Sequence, residues 1–325
     1  MTGLLALSLS LCMVGYDDRP CVVIVVGTPG RPEYKGQFER SAGSWKSAGD
    51  KAGAESIVVG AAEQRGVTDH DRLRAVLAEK SKASREPLWV ILIGHGTYDG
   101  REAKFNLQGP DVTDAELGNW LASVDRPIVV INCSSASGPY INRLSGSNRV
   151  VIVATKSGFE MNFSRFGEYL ADAITDLRAD LDKDGQVSLL EAYLTASSHV
   201  EEHYRAHSQL ATEHALLDDN GDHLGTPANW FKGVRATQRA KDGAALDGLR
   251  AHQLHLIPSV REREMPVEIR QRRDELELSI AALRDQKEKL KDDEYYARLE
   301  KLMVELAHLY REVRGGAVPK VEARH

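Results

Sequence analysis

The chain alternates short apolar runs with longer segments of mixed polarity. Five runs are rich in Val and Ile and nearly free of charge: 21–26, 56–59, 89–93, 127–132 and 149–155. Each is continuously apolar rather than alternating, the pattern of a strand buried on both faces of a parallel sheet. The intervening stretches 34–49, 68–82, 113–124 and 189–207 read as helices. In 68–82, Leu73, Val76 and Leu77 fall on one face. Thr113 with Glu116 forms a capping box that opens the third of these helices. Strands alternating with helices predict an α/β domain with a mostly parallel sheet flanked by helices.

The pattern changes after residue 265. Pro266 suits a first helical position. Leu276, Ile280, Leu283 and Leu290 form one apolar stripe, and Asp292-Asp293 interrupts it. Leu299, Leu302, Leu306, Leu309 and Val313 then follow at the alternating spacing of a coiled-coil seam. A C-terminal helical hairpin over 266–314 is expected, with a tail over 315–325. It could serve as a self-association or partner surface, as a lid over a cleft, or simply pack on its own domain. The Ala-rich, charge-rich stretch 235–265 reads as a linker from the main domain, 21–234. At the other end, residues 3–14 are apolar but too short to span a bilayer. They resemble the core of a secretory signal peptide that lacks a basic leading segment. Export, to the periplasm or the medium, is the expectation for 1–20; a cytoplasmic protein is the alternative.

Bulk properties narrow the function classes. Apolar residues make up 42% and charged residues 28% of the 325-residue chain, the balance of a globular protein. A formal net charge of −6, with no basic stripe interleaved with aromatics, argues against a nucleic-acid binder. Three cysteines, Cys12, Cys21 and Cys133, cannot all pair, which excludes a disulfide scaffold and leaves a lone thiol.

Two strand ends carry the chemistry. The run 89–93 leads into Gly94-His95-Gly96, and the run 127–132 leads into Cys133-Ser134-Ser135. Ligands bind at the carboxyl ends of strands in open parallel sheets. If the two strands are neighbours, an imidazole and a thiol share one cleft, the minimum for a cysteine nucleophile with a histidine base. The turn Gly27-Thr28-Pro29-Gly30 follows the first strand but has neither spacing of a phosphate-binding loop.

The sharpest motif runs from Asp180 to Glu191 and fits a twelve-residue calcium loop at every ligand position. Asp180, Asp182 and Asp184 would each give an oxygen, Gln186 its carbonyl, Ser188 a direct or water-mediated contact, and Glu191 both carboxylate oxygens. Gly185 allows the tight turn. Such an ion would be structural rather than catalytic. A second acidic turn places Asp218, Asn220 and Asp222 at alternating positions, with His223 where a calcium loop wants Gly. It reads equally as a calcium loop or as an acidic surface turn.

His-Gly after one strand, a small excursion over 104–111, a short helix, and a Cys after the next strand form an ordered set. Over roughly residues 21–230 this set resembles the legumain-like branch of the caspase-type cysteine peptidases. The resemblance implies a caspase-like fold and a protein or peptide substrate. It implies Cys133 as nucleophile, His95 as its partner, and the backbone N–H groups of Gly96 and Cys133 as the oxyanion hole. It further implies a specificity pocket built by Lys35, Ser134 and Glu168. Lys35 stands where the family has Arg, and Ser134 where it has an acidic residue, so asparagine selectivity is not implied. Two alternatives share these residues: a transpeptidase using the same acyl-enzyme, and a calcium-stabilised module that binds peptide without cutting it.

Overall fold

A computed structural model describes residues 19–61 and 66–316. The expected export segment, apart from residues 19 and 20, and the last nine residues lie outside the described residues. In chain order the strands are β1 (Cys21–Val26), β2 (Glu55–Val59), β3 (Leu88–Ile93), β4 (Gly96–Tyr98), β5 (Ala103–Phe105), β6 (Val112–Thr113), β7 (Ile128–Asn132), β8 (Arg149–Val153), β9 (Leu216–Asp218) and β10 (Thr226–Pro227). The helices are α1 (Pro32–Ala52), α2 (Asp69–Glu79), α3 (Asp114–Leu121), α4 (Pro139–Leu144), α5 (Phe166–Ala173), α6 (Leu189–Ala206), α7 (Leu249–Gln253), α8 (Val260–Glu264), α9 (Val267–Asp285) and α10 (Asp292–Gly316).

The main sheet has the order β10-β9-β8-β7-β3-β1-β2. The five strands from β8 to β2 are mutually parallel, and β9 and β10 add an antiparallel edge. This is the mixed α/β architecture that the alternation of runs predicts. The continuous apolar runs are explained by burial on both faces. Val22, Ile24, Trp89, Ile91, Val129 and Ile131 face one layer, with Phe38 and Trp45 of α1, Leu170 of α5 and Tyr193 of α6. Val23, Val25, Val90, Leu92 and Val130 face the other, with Leu73 and Leu77 of α2, Leu117 and Leu121 of α3, and Tyr140 and Leu144 of α4. Each fully buried side chain of this kind stabilises the fold by about 1.5–3 kcal/mol.

Local signals behave as the residues dictate. Thr113 Oγ1 accepts from Glu116 N at 3.0 Å while the Glu116 carboxylate accepts from Thr113 N, the reciprocal capping box. The excursion after β3 forms a small antiparallel sheet, β4-β5-β6.

The stretch 235–265 is no linker. Ala251, Leu256 and Met265 are buried, and the Asp219 carboxylate accepts from Gly248 N at 2.9 Å and Ala251 N at 2.8 Å. Composition misleads here because a few apolar residues and one buried carboxylate suffice to pin a charge-rich segment.

The C-terminal helices form the expected hairpin. Leu276, Ile280 and Leu283 of α9 are buried, whereas Leu299, Leu302, Leu306, Leu309 and Val313 of α10 are half-buried. Arg272 pairs with Glu305 across the two helices at 2.6 Å. Arg85 to Glu268 (2.5 Å) and Arg270 to Glu86 (3.1 Å) tie α9 to the segment preceding β3. Residues of α9 and residues at the strand starts (Pro20, Pro87, Pro127, Asn148) line one cavity of about 540 Å³. The hairpin therefore sits at the amino ends of the parallel strands, opposite His95 and Cys133, which rules out a lid over that cleft. No described helix is long and apolar enough to cross a membrane.

Candidate active site

His95 and Cys133 leave adjacent strands at the same edge. β3 and β7 pair in parallel with Leu92 opposite Asn132, so the two chains emerge side by side at their carboxyl ends. Both side chains lie on the α1/α5 layer of the sheet. His95 is half-buried among aromatic rings: Tyr34 at 4.8 Å, Phe38 at 5.3 Å and Phe163 at 6.0 Å between centroids. Its Nε2 is 3.2 Å from the Pro29 carbonyl. Burial lowers its pKa from the ordinary value, and the Pro29 carbonyl partly opposes that shift. The ring is therefore neutral at pH 7, the form that can act as a base.

Cys133 is only 5% exposed. Burial pushes its thiol pKa up to about 12, and no hydrogen bond joins its sulfur to His95. Gln37, Phe38, Ser41, Phe163, Ser164, Gly167 and Glu168 surround it in a recess of about 20 Å³, too small for any side chain. The wall of this recess is the first turn of α5 and the loop before it.

The expected oxyanion donors are both engaged. Gly96 N donates to Ser135 Oγ at 3.1 Å, and Cys133 N donates to the Leu92 carbonyl at 2.9 Å. Ser134, expected in the pocket wall, is instead fully buried. Its N–H and hydroxyl both donate to Asn132 Oδ1, at 3.0 and 2.7 Å. A short polar side chain next to an amide oxygen satisfies itself inward, so Ser134 shapes the loop behind Cys133 rather than facing the recess. Asn132 serves the same loop and makes no hydrogen bond to His95.

The two charged pocket candidates part company. Glu168 lines the recess beside Cys133. Lys35 projects into solvent, 70% exposed, with Glu39 one turn away at 4.0 Å. It is Tyr34, its neighbour, that touches the imidazole.

A residue without any sequence signal holds the wall in place. Glu213 is buried and accepts from Ser164 Oγ (2.7 Å), Arg165 N, Phe166 N (3.0 Å) and the Tyr204 hydroxyl (3.2 Å). It caps α5 from some fifty residues away in sequence, so no local pattern could reveal it.

The residues of the 180–191 loop meet the first requirement of a calcium site. Side-chain oxygens of Asp180, Asp182 and Asp184 lie within 4.8 Å of one another, the span that ligands at 2.3–2.6 Å from one ion require. The loop turns through Lys183 (φ 65°) and Gly185 (φ 92°). Ser188 caps α6 with Glu191, whose Oε2 accepts from Ser188 N and Oγ, each at 2.8 Å. Glu191 Oε1 accepts from Leu181 N and Asp182 N. Glu191 joins Asp182 and His252 in an overlapping group. His252, on α7, carried no sequence signal for this loop. The side-chain oxygen of Gln186 accepts from Ser259 N at 2.9 Å, so the loop also anchors the segment leading to α9.

The chain matches no protein-family model and no curated protein sequence. Among solved structures it is similar to the Drosophila initiator caspase Dronc, with a TM-score of 0.45, 12% identity and coverage of 66% of this chain and 85% of that one. It is similar to drICE with a TM-score of 0.38, 12% identity and coverage of 63% and 88%. For caspase-1 of Spodoptera frugiperda the TM-score is 0.39 at 10% identity, with 63% and 87% covered. These likenesses concern the layout of sheet and helices and assign no residue a role.

Proposed function

We propose that this chain is a cysteine endopeptidase with legumain-like organisation, seen in a closed form, whose nucleophile is Cys133 and whose base is His95. The observation that carries the reading is the emergence of both side chains from the paired carboxyl ends of β3 and β7, on one face of the sheet. On opening, the Cys133 thiol passes its proton to the His95 imidazole and the thiolate attacks the scissile carbonyl. The C–S bond forms, the C–N bond breaks, and the leaving amine takes the proton from the imidazolium. Water, deprotonated by the same imidazole, then hydrolyses the thioester. Both backbone donors for the oxyanion are engaged, Gly96 N with Ser135 Oγ and Cys133 N with the Leu92 carbonyl, so this reading requires both contacts to yield on opening. A carboxylate beside the nucleophile, Glu168, favours a basic or neutral polar residue before the cut. Calcium in the 180–191 loop would stabilise the joint between α5, α6 and α7 and take no part in the chemistry.

The test is turnover of a fluorogenic peptide library varied at that residue, with calcium present, comparing wild type with Cys133→Ala. Cleavage that depends on Cys133 is the expected result. A folded protein that cleaves nothing, and whose thiol resists an electrophilic peptide probe, would instead be a peptide-binding module. The high thiol pKa and the missing Cys133–His95 hydrogen bond are the observations that keep that second reading alive.

A further inference from the structure

We infer that the loop 218–224, at the edge of the main sheet, is a second divalent-cation site with oxygen ligands, independent of the 180–191 loop. The pointer is a pair of buried carboxylate oxygens. Asp218 is 1% exposed, its Oδ1 accepts from Gly221 N at 3.0 Å, and the carboxylate therefore faces into the loop. Its Oδ2 has no hydrogen-bond partner, and neither has the buried Oδ2 of Asp222. Two buried carboxylate oxygens without donors are costly unless protonated or neutralised. From outside the loop the Ser145 hydroxyl lies beside the Asp218 carboxylate. Asp247 is spent on Asp219 N (3.0 Å), Asn220 N (3.2 Å) and Thr226 Oγ1 (2.5 Å).

The backbone of this loop repeats that of the 180–191 loop at three side-chain contacts and two turns, and departs from it at the sixth place, where Gly185 N donates to Asp180 Oδ2 but His223 N donates outward to Ser145 Oγ. Asp180 Oδ1 accepts from Lys183 N as Asp218 Oδ1 does from Gly221 N. Asp182 Oδ1 accepts from Asp184 N as Asn220 Oδ1 does from Asp222 N. Asp184 Oδ1 accepts from Gln186 N as Asp222 Oδ1 does from Leu224 N. The positive φ angles fall at the same places: Lys183 and Gly185 at 65° and 92°, Gly221 and His223 at 80° and 68°. His223, which by sequence argued against an ion, adopts the left-handed conformation that the sixth place needs. Contacts with α4 hold it there: its N–H donates to Ser145 Oγ at 3.0 Å, and its carbonyl accepts from Asn142 Nδ2 at 2.7 Å.

The ligands would be Asp218 Oδ2, Asp222 Oδ2 and Asn220 Oδ1, with the Leu224 carbonyl at the seventh place. The twelfth place is Asn229 rather than Glu. Two charges and no closing carboxylate make this the weaker of the two loops, and an all-oxygen, irregular set suits calcium better than magnesium. Bound there, the ion would fasten the edge strands β9 and β10 to α4.

The experiment is calcium titration of the chelator-treated full chain, read by calorimetry and by native mass spectrometry. Two ions per chain are expected. Asp222→Asn should weaken the weaker site at least tenfold and leave the tighter one intact. Asp184→Asn should do the reverse. Asn220→Ala provides a second variant, with circular dichroism to confirm folding. Loss of all binding in Asp184→Asn, with Asp222→Asn and Asn220→Ala unchanged from wild type, overturns this inference and leaves the 180–191 reading standing. Loss only in Asp222→Asn and Asn220→Ala overturns the latter and leaves this one. A wild-type chain that binds no calcium overturns both.

Discussion

Gly167 backs directly onto Cys133. A methyl group built on its Cα would lie 2.4 Å from the Cys133 Cβ and 2.8 Å from the sulfur. The first turn of α5 is thus pressed against the thiol with no room for a side chain, and access to the sulfur requires that turn to move. Gly167→Ala should either force α5 outward or destabilise the domain by overpacking, typically by about 1–3 kcal/mol. Urea unfolding together with thiol labelling distinguishes the two. A variant equal to wild type in both would show that the contact is absent in solution.

The closed form makes a kinetic prediction for the thiol. A pKa of about 12 against an ordinary 9.0 leaves Cys133 about 10³-fold less ionised near pH 8. Iodoacetamide should therefore label native Cys133 about 10³-fold more slowly than a free cysteine, with a rate still climbing above pH 9. Mass-spectrometric time courses across pH would show this. A labelling profile that levels off near pH 7 would mean that an open, ion-paired dyad dominates in solution.

Glu213 should control that opening. Its carboxylate takes four groups at the start of α5 and from α6, and hydrogen bonds to a charged group contribute about 1.5–3 kcal/mol each. Glu213→Gln keeps the shape but removes the charge and puts a donor where several donors converge. Stability should fall by about 2–3 kcal/mol, and Cys133 labelling should accelerate because the wall of the recess loosens. Unchanged labelling in a destabilised variant would uncouple the wall from Cys133.

What the sequence made legible follows from the range of each interaction. The parallel strands are local apolar runs, and the Thr113–Glu116 box lies within four residues, so both could be read directly. His95 and Cys133 could be paired because each ends such a run. Glu213 could not, since its partners lie mostly at 164–166 and its own surroundings have no period. The short β9 shows no strand signal in the sequence because three residues are too few to show a pattern. Ser134 reads as exposed in the sequence because the claim of Asn132 Oδ1 on both of its donors shows only in the fold. Ser188 and Glu191 satisfy a capping box and a calcium loop with the same spacing, and sequence alone cannot separate the two uses.

His95 supplies a stability test with a defined sign. Its folded pKa lies below the ordinary 6.5 because of burial. The folded protein then binds fewer protons than the unfolded chain in the window below pH 6.5, so stability is full above 6.5 and falls as the pH drops through the folded value. His95→Gln should flatten that part of the curve in urea unfolding between pH 7.5 and 5. An identical slope in the variant would assign the acid sensitivity to other groups.

Removal of the C-terminal helices should leave the candidate site untouched. α9 lies at the amino ends of the strands, at the opposite end of the sheet from His95 and Cys133, and α10 packs on α9. A chain ending at Met265 keeps α7, the Asp219 anchor and buried Leu256, but loses Leu276, Ile280 and Leu283 together with the Arg85–Glu268 and Arg270–Glu86 pairs. Each of those three buried side chains contributes about 1.5–3 kcal/mol, whereas the Arg85–Glu268 pair is exposed and screened by solvent. The truncated chain should therefore melt lower, while Cys133 keeps its labelling rate within about twofold, a margin well inside the roughly thousandfold effect of burial on the thiol. If truncation instead unmasked the thiol, the helices would be reaching the opposite end of the sheet, and the recess beside Gly167 would not be what restrains Cys133.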